Sequence, residues 1–312
     1  MYHEFAHVVV FAWGGFSPTI DALGGLWEPG AVNEGTADAM AVSENGRSEV
    51  GSFIGATLTP PRAFLRDMSD PNAARTCQGD GTLVNQFGTS TPIFINGVDG
   101  EEHDDGEIWN GFYWEIYQGL KAAGLKACGG SCDAGPALQY KAMQLAAGTN
   151  PTFKTYWQTV GAAASALFPA ASGAAAYVDC VGKRRRFDQW DRTVPVYAGE
   201  SKAQMIRLRF SPFQVALVAN GATQFSMCSL RGTATTVNAR NGLPAQITAI
   251  DPSTGVATVT ADGSASFSQP CSGGSVTFNL TPSGTWYLLL DSPNAVPGGT
   301  PGNDIYRVNA GV

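Results

Sequence analysis

The chain is poor in charge. Only 14% of its 312 residues are Asp, Glu, Lys or Arg, well below the roughly 25% of an ordinary soluble domain. The charge present is weighted to acid, with 26 acidic against 19 basic residues and a net charge of −7. That balance argues against a nucleic-acid partner, which needs a basic footprint. No apolar run approaches the ~20 residues of a membrane span. A signal peptide is also lacking, and the chain opens almost directly on a histidine motif. Met1 is therefore read as an internal methionine, a late start or a fragment boundary, with sequence upstream. Histidine is rarer still: His3, His7 and His103 are the whole complement.

What is plentiful is small and apolar. Hydrophobic residues make up 44%, ample for a core, and 38 glycines point to an uncharged, small-residue surface of the secreted kind. Six cysteines occur, at 77, 128, 132, 180, 228 and 271, and no C-x-x-C pair suggests a zinc knuckle. Disulfides in an oxidising compartment are expected. Cys228 and Cys271 stand apart and should pair with each other. Cys77, Cys128, Cys132 and Cys180 allow three connectivities, and the sequence does not choose among them.

The hydrophobic pattern changes character along the chain. Helical periodicity predicts helices over 3–13, from about Gly30 to Val42, from just after His103-Asp104-Asp105-Gly106 to Leu120, over 136–147 and 151–168, and a short one ending near Cys180. The run Val8–Trp13 is apolar all round, as in a buried helix. Residues 14–29 read as a Gly/Pro-rich loop, and Asp104 and Asp105 as caps of the third helix. Lys183–Arg186 is the only dense basic run and reads as a solvated linker, with a processing site as the alternative. Beyond it the period becomes two, at 206–210, 215–218, 245–250, 256–260, 276–280 and 286–290, with Asp251–Gly255 as a hairpin turn. The expected fold class is α+β and multidomain: a mostly helical catalytic domain over 1–187, then an all-β sandwich over 190–312. Trp286 and Tyr287 read as core aromatics. Asp291, Asn303 and Asp304 are a weak Ca2+ candidate whose default reading is a solvated loop.

The chemistry concentrates at His3-Glu4-Phe5-Ala6-His7. Histidines at i and i+4 share a helix face, so both imidazoles can aim at one ion, while Glu4 sits beside it and can hold a water. A hydrolytic zinc needs a third protein ligand and one open position. Glu34, on the helix after the first loop, is the candidate. Asp38, one turn on, is placed to accept the remaining N–H of a ligating histidine.

His3–His7 followed by Asn33-Glu34-Gly35-Thr36-Ala37-Asp38 resembles the gluzincin zinc metallopeptidases, closest to the thermolysin and fungalysin families. A third segment, His103-Asp104-Asp105-Gly106-Glu107-Ile108-Trp109 with Trp114-Glu115-Ile116-Tyr117, is similar to the fungalysin pattern H-x-x-G-E-[IV]-W. The resemblance covers roughly residues 2–125. It implies one catalytic Zn2+ on His3, His7 and Glu34, support from Asp38 and Asn33, Glu4 as general base, and His103 as a donor to the developing oxyanion. Asp99 or Glu101 could orient His103. The implied activity is that of a secreted zinc metalloendopeptidase acting on protein or peptide substrates. Two departures stand out: Trp27 occupies the region where thermolysin has its active-site tyrosine, and the β-rich lobe that precedes the motif in these enzymes has no counterpart. Its absence leaves a non-catalytic binding or adhesion protein with a truncated peptidase domain as the alternative. An aminopeptidase, with Glu101 or Glu102 anchoring the substrate amine, is a third reading. The end of the chain faintly resembles pre-peptidase C-terminal β-sandwiches.

Overall fold

A computed structural model of the chain describes residues 2–21, 24–69, 81–84, 90–93, 102–189, 193–197, 201–207, 213–220, 224–229, 235–251, 257–267, 275–279, 285–291 and 303–311. The chain divides into two compact units. The first comprises residues 1–18, 27–91 and 102–190, and the second 19–26, 92–101 and 191–312.

The first unit is helical: α1 Tyr2–Trp13, α2 Glu28–Asn45, α3 Ser52–Thr57, α4 Glu102–Ala122, α5 Ala134–Leu145, α6 Phe153–Leu167 and α7 Ala174–Arg184. α2 lies at its centre, with every residue from Glu28 to Ala39 buried. Pro29 sits in its first turn, where a missing N–H costs nothing, so the helix starts two residues before the expected Gly30. Gly46 ends it in the left-handed conformation, its N–H donating to the Val42 carbonyl. α2 and α4 meet at two glycines. A Cβ on Gly35 would lie 2.7 Å from Trp109 Cβ and 2.8 Å from the Gly106 carbonyl oxygen. Beneath this contact an aromatic cluster of Trp109, Phe112, Phe153, Tyr156 and Phe187 fills the core.

Four expectations are corrected here. Residues 14–29 are not all loop, since Thr19–Asp21 and Gly24–Leu26 form an antiparallel hairpin. His103, Asp104 and Asp105 lie within the first turn of α4 instead of before it, where acidic side chains complement the helix dipole. α1 is not buried all round. Only Ala6 and Val10 are buried, while Phe5, Val8 and Phe11 are 62%, 63% and 58% exposed. The basic run is no free linker: Lys183 pairs with Asp179 one turn back, and Arg184 and Arg185 both pair with Glu115 of α4. Cations at a helix C-terminus are favoured by its dipole, and Arg184 and Arg185 tie α7 to α4.

Of the cysteines, Cys128 and Cys132 form a disulfide. Cys180 is free and exposed on α7, which corrects the expectation that it pairs. Cys228 is disulfide-bonded; Cys77 and Cys271 lie outside the described residues.

The second unit is built of strands. A four-stranded antiparallel sheet runs Ser201–Arg207, Asn303–Gly311, Gln224–Ser229, Val276–Asn279. A five-stranded sheet runs Gly263–Phe267, Thr235–Asn241, Trp286–Asp291, Phe213–Asn220, Thr193–Tyr197, antiparallel except for its last pair. The hairpin of Gln246–Ile250 with Ala257–Thr260 forms as the turn signal implies. Leu288, Leu289 and Leu290 are all buried, so both faces of that central strand are covered, and Trp286 joins them in the core. Asp291, Asn303 and Asp304 belong to strands of different sheets and not to one loop.

Candidate metal centre

α1 and α2 run side by side and bring three side chains to one point. His3 and His7 share a face of α1, and their Nε2 atoms lie 3.0 Å apart. Glu34 of α2 places Oε2 3.3 Å from His3 Nε2 and Oε1 3.5 Å from His7 Nε2. His103, at the start of α4, places its Nε2 3.5 Å from Glu34 Oε2. The Gly35–Gly106 approach is what lets α4 come this near.

The outer nitrogens of the two imidazoles fix their tautomers. His3 Nδ1 lies 2.7 Å from Asp38 Oδ1 and His7 Nδ1 lies 3.0 Å from Asn33 Oδ1. A carboxylate and an amide oxygen only accept, so both Nδ1 atoms donate. In the neutral imidazoles both Nε2 atoms then carry lone pairs. Two lone pairs and a carboxylate therefore converge with no donor among them, and Glu34 Oε2 is buried without a well-formed hydrogen bond. A metal cation or a shared proton would satisfy such a cluster, and these three side chains are one of the groups able to hold an ion. Ligands about 2.0–2.1 Å from a tetrahedral zinc lie roughly 3.4 Å from one another, close to the 3.0, 3.3 and 3.5 Å found here. Without metal a proton serves: burial pulls His3 down, but the hydrogen bonds and charges of Asp38 and Glu34 outweigh it and raise its pKa to about 9. For Glu34, burial pushes the carboxyl up, and the contact with His3 and the charges of His103, His7 and His3 bring it below its usual value.

Asp38 is 1% exposed and holds more than a histidine. Arg66 donates through Nε to Oδ2 at 2.6 Å and through Nη2 to Oδ1 at 2.8 Å, and Asn110 Nδ2 donates to Oδ2 at 2.8 Å. Burial acts to raise the Asp38 carboxyl, but the Arg66 guanidinium and the His3 hydrogen bond hold it far below the usual carboxylate range. Arg66 and Asn110 escaped the sequence reading. Arg66 sits in a turn-rich stretch and pairs only through the short ladder of Glu49–Val50 with Arg66–Asp67, and no local motif marks either residue.

A cleft of about 510 Å3 opens beside the cluster, and its lining includes Tyr2, His3, Glu4, Glu49, Val50, Ile54, Leu65, Arg66 and His103. Glu4 is exposed in it, and His103 has a side chain 46% exposed. Trp27 does not line the cleft; the tyrosine that does is Tyr2. Asp99 and Glu101, the expected orienting groups for His103, lie outside the described residues. Glu102 belongs to a second group of possible ligand atoms with Glu34 and His103.

His3, His7, Glu34, Asp38, Asn33 and His103 are thus gathered in one place, with Glu4 on the open side. No curated protein matches the chain. Residues 26–180, from just before α2 into α7, match the family model described as thermolysin metallopeptidase, alpha-helical domain.

Proposed function

We propose that the chain is a zinc-dependent metallopeptidase that hydrolyses peptide bonds. One observation carries the reading: the Nε2 atoms of His3 and His7 and the carboxylate of Glu34 converge on one point at about the mutual spacing of ligands on a tetrahedral zinc. The family match over 26–180 supports it from the other side, since it covers Glu34, Asp38 and His103 while His3–His7 precede it. His3, His7 and Glu34 would hold the ion, with Asp38 and Asn33 setting the imidazole tautomers. Zinc bound there supplies Lewis-acid polarisation and acidifies water. Glu4 stands in the cleft to take a proton from water and return it to the leaving amine. His103 donates to the oxygen of the substrate carbonyl as charge builds on it, a contribution of ~2.7–4 kcal/mol for such donors. The Cys128–Cys132 disulfide supports action in an oxidising, extracellular setting. Residues 1–187 are taken as the peptidase domain and 190–312 as an accessory β-sandwich.

The test is zinc content per chain together with cleavage of a quenched peptide, with and without chelator. Stoichiometric zinc and chelator-sensitive cleavage are expected. Glu4→Gln should keep the zinc and lose at least ~100-fold in kcat, whereas Glu34→Gln should lose the metal. Full activity in Glu4→Gln would sink the assignment.

A further inference from the structure

We propose that Glu49 makes this cleft selective for substrates with a cationic side chain next to the scissile bond, an inference that rests on the peptidase reading above. It follows from the charges in the cleft wall. Apart from the histidines, the lining carries, among the described residues, two carboxylates, Glu4 and Glu49, and one guanidinium, Arg66. Arg66 is committed to Asp38 by both Nε and Nη2, so it offers a substrate little net charge. Glu4 is assigned to water. The Glu49 carboxylate is exposed and makes no hydrogen bond or ion pair with any described residue. Asp67 stands opposite it in the two-residue ladder, so the local field is more negative still. The same lining includes apolar Val50, Ile54 and Leu65. A lysine or arginine side chain suits such a surface: its methylene stem lies on apolar groups and its charged head stays at the wet rim, against a carboxylate. An acidic side chain there would meet Glu49 with like charge.

The experiment uses the zinc-loaded full chain and pairs of fluorescent peptides that differ only in arginine against citrulline, placed in turn at each position flanking the bond. Binding is read by anisotropy and cleavage in the same samples. At one position arginine should bind about fivefold more tightly, as expected for a partly solvated ion pair. The preference should shrink in about 0.5 M salt, fall to near one in Glu49→Gln, and reverse in Glu49→Lys. A ratio of one for the unmodified chain at low salt, or a ratio that survives Glu49→Gln, overturns the proposal. If the variants do not fold, the salt dependence of the unmodified chain decides it alone. Discrimination without chelator-sensitive cleavage upholds the selectivity and removes the peptidase reading. Cleavage without discrimination does the reverse, and no binding of either peptide overturns both.

Discussion

At Asp38 one buried carboxylate receives His3, both arms of Arg66 and Asn110. Asp38→Asn keeps the shape and removes the charge, leaving the Arg66 guanidinium buried against a neutral amide. Breaking a buried pair from one side costs about 3–5 kcal/mol, so denaturant unfolding should show a loss of that order. Zinc affinity should fall about 10- to 100-fold, because His3 loses the acceptor that fixes its tautomer. A stability loss under ~1 kcal/mol would mean that the charge of Asp38 is not what holds Arg66 in place. His3 gives a pH dependence with a definite sign. Its pKa in the metal-free fold is about 9 against an ordinary 6.5. Its contribution to stability is therefore fully present below about 6.5 and lost as pH rises through about 9. The chelator-treated protein should melt several degrees lower at pH 9 than at pH 6.5 by this route, and His3→Gln should flatten the difference. Zinc requires the neutral imidazole, so its stabilising effect should grow over the same window.

The site depends on how closely α2 and α4 pack. Gly35→Ala would put a methyl 2.7 Å from Trp109 Cβ and 2.8 Å from the Gly106 carbonyl oxygen, both in helices with little freedom to move. Overpacking of this kind costs about 1–3 kcal/mol. Because Glu34 is the neighbouring residue, the shift should also weaken zinc binding. Gly46→Ala, at the solvent-facing end of α2 with open space at its Cβ, should cost stability through its left-handed φ of 66° without touching zinc affinity. Equal loss of zinc affinity in both variants would show that the α2–α4 distance does not set the site. Elements of this kind were legible in the sequence where their periodicity was strong. The every-fourth-residue spacing of Ile108, Phe112, Ile116 and Leu120 marks α4 because one apolar face recurs. The strands Gln224–Ser229, Thr235–Asn241, Gly263–Phe267 and Asn303–Gly311 were not legible, since polar and small residues dilute their alternation, and Pro195 hides Thr193–Tyr197. The same division holds at the site. His3, His7, Glu34 and Asp38 fall at helical spacings that are local and readable, while Arg66 reaches Asp38 only through tertiary folding.

At the scale of the whole molecule, the two units have separate cores: an aromatic and alanine-rich one among the helices, and an aliphatic one around Leu288–Leu290. Neither unit is one continuous stretch of chain. Residues 19–26 and 92–101 group with the second unit although segments of the first unit flank them in sequence. A division of the sequence into a helical half and a β half therefore misses two segments, because a boundary read from composition is linear and a compact unit need not be. Two cores predict two calorimetric transitions. All the candidate ligands lie in the helical unit, so zinc should move only one of them. At a free zinc concentration near 100 times the dissociation constant the stabilisation is about 2.7 kcal/mol, which for a unit of this size corresponds to about 5–10 °C. The transition that moves should be the one lowered by Asp38→Asn and by Gly35→Ala. Movement of both transitions by the same amount, or a single transition shifted as a whole, would show that the units unfold together and that metal binding is felt beyond the helices that carry it.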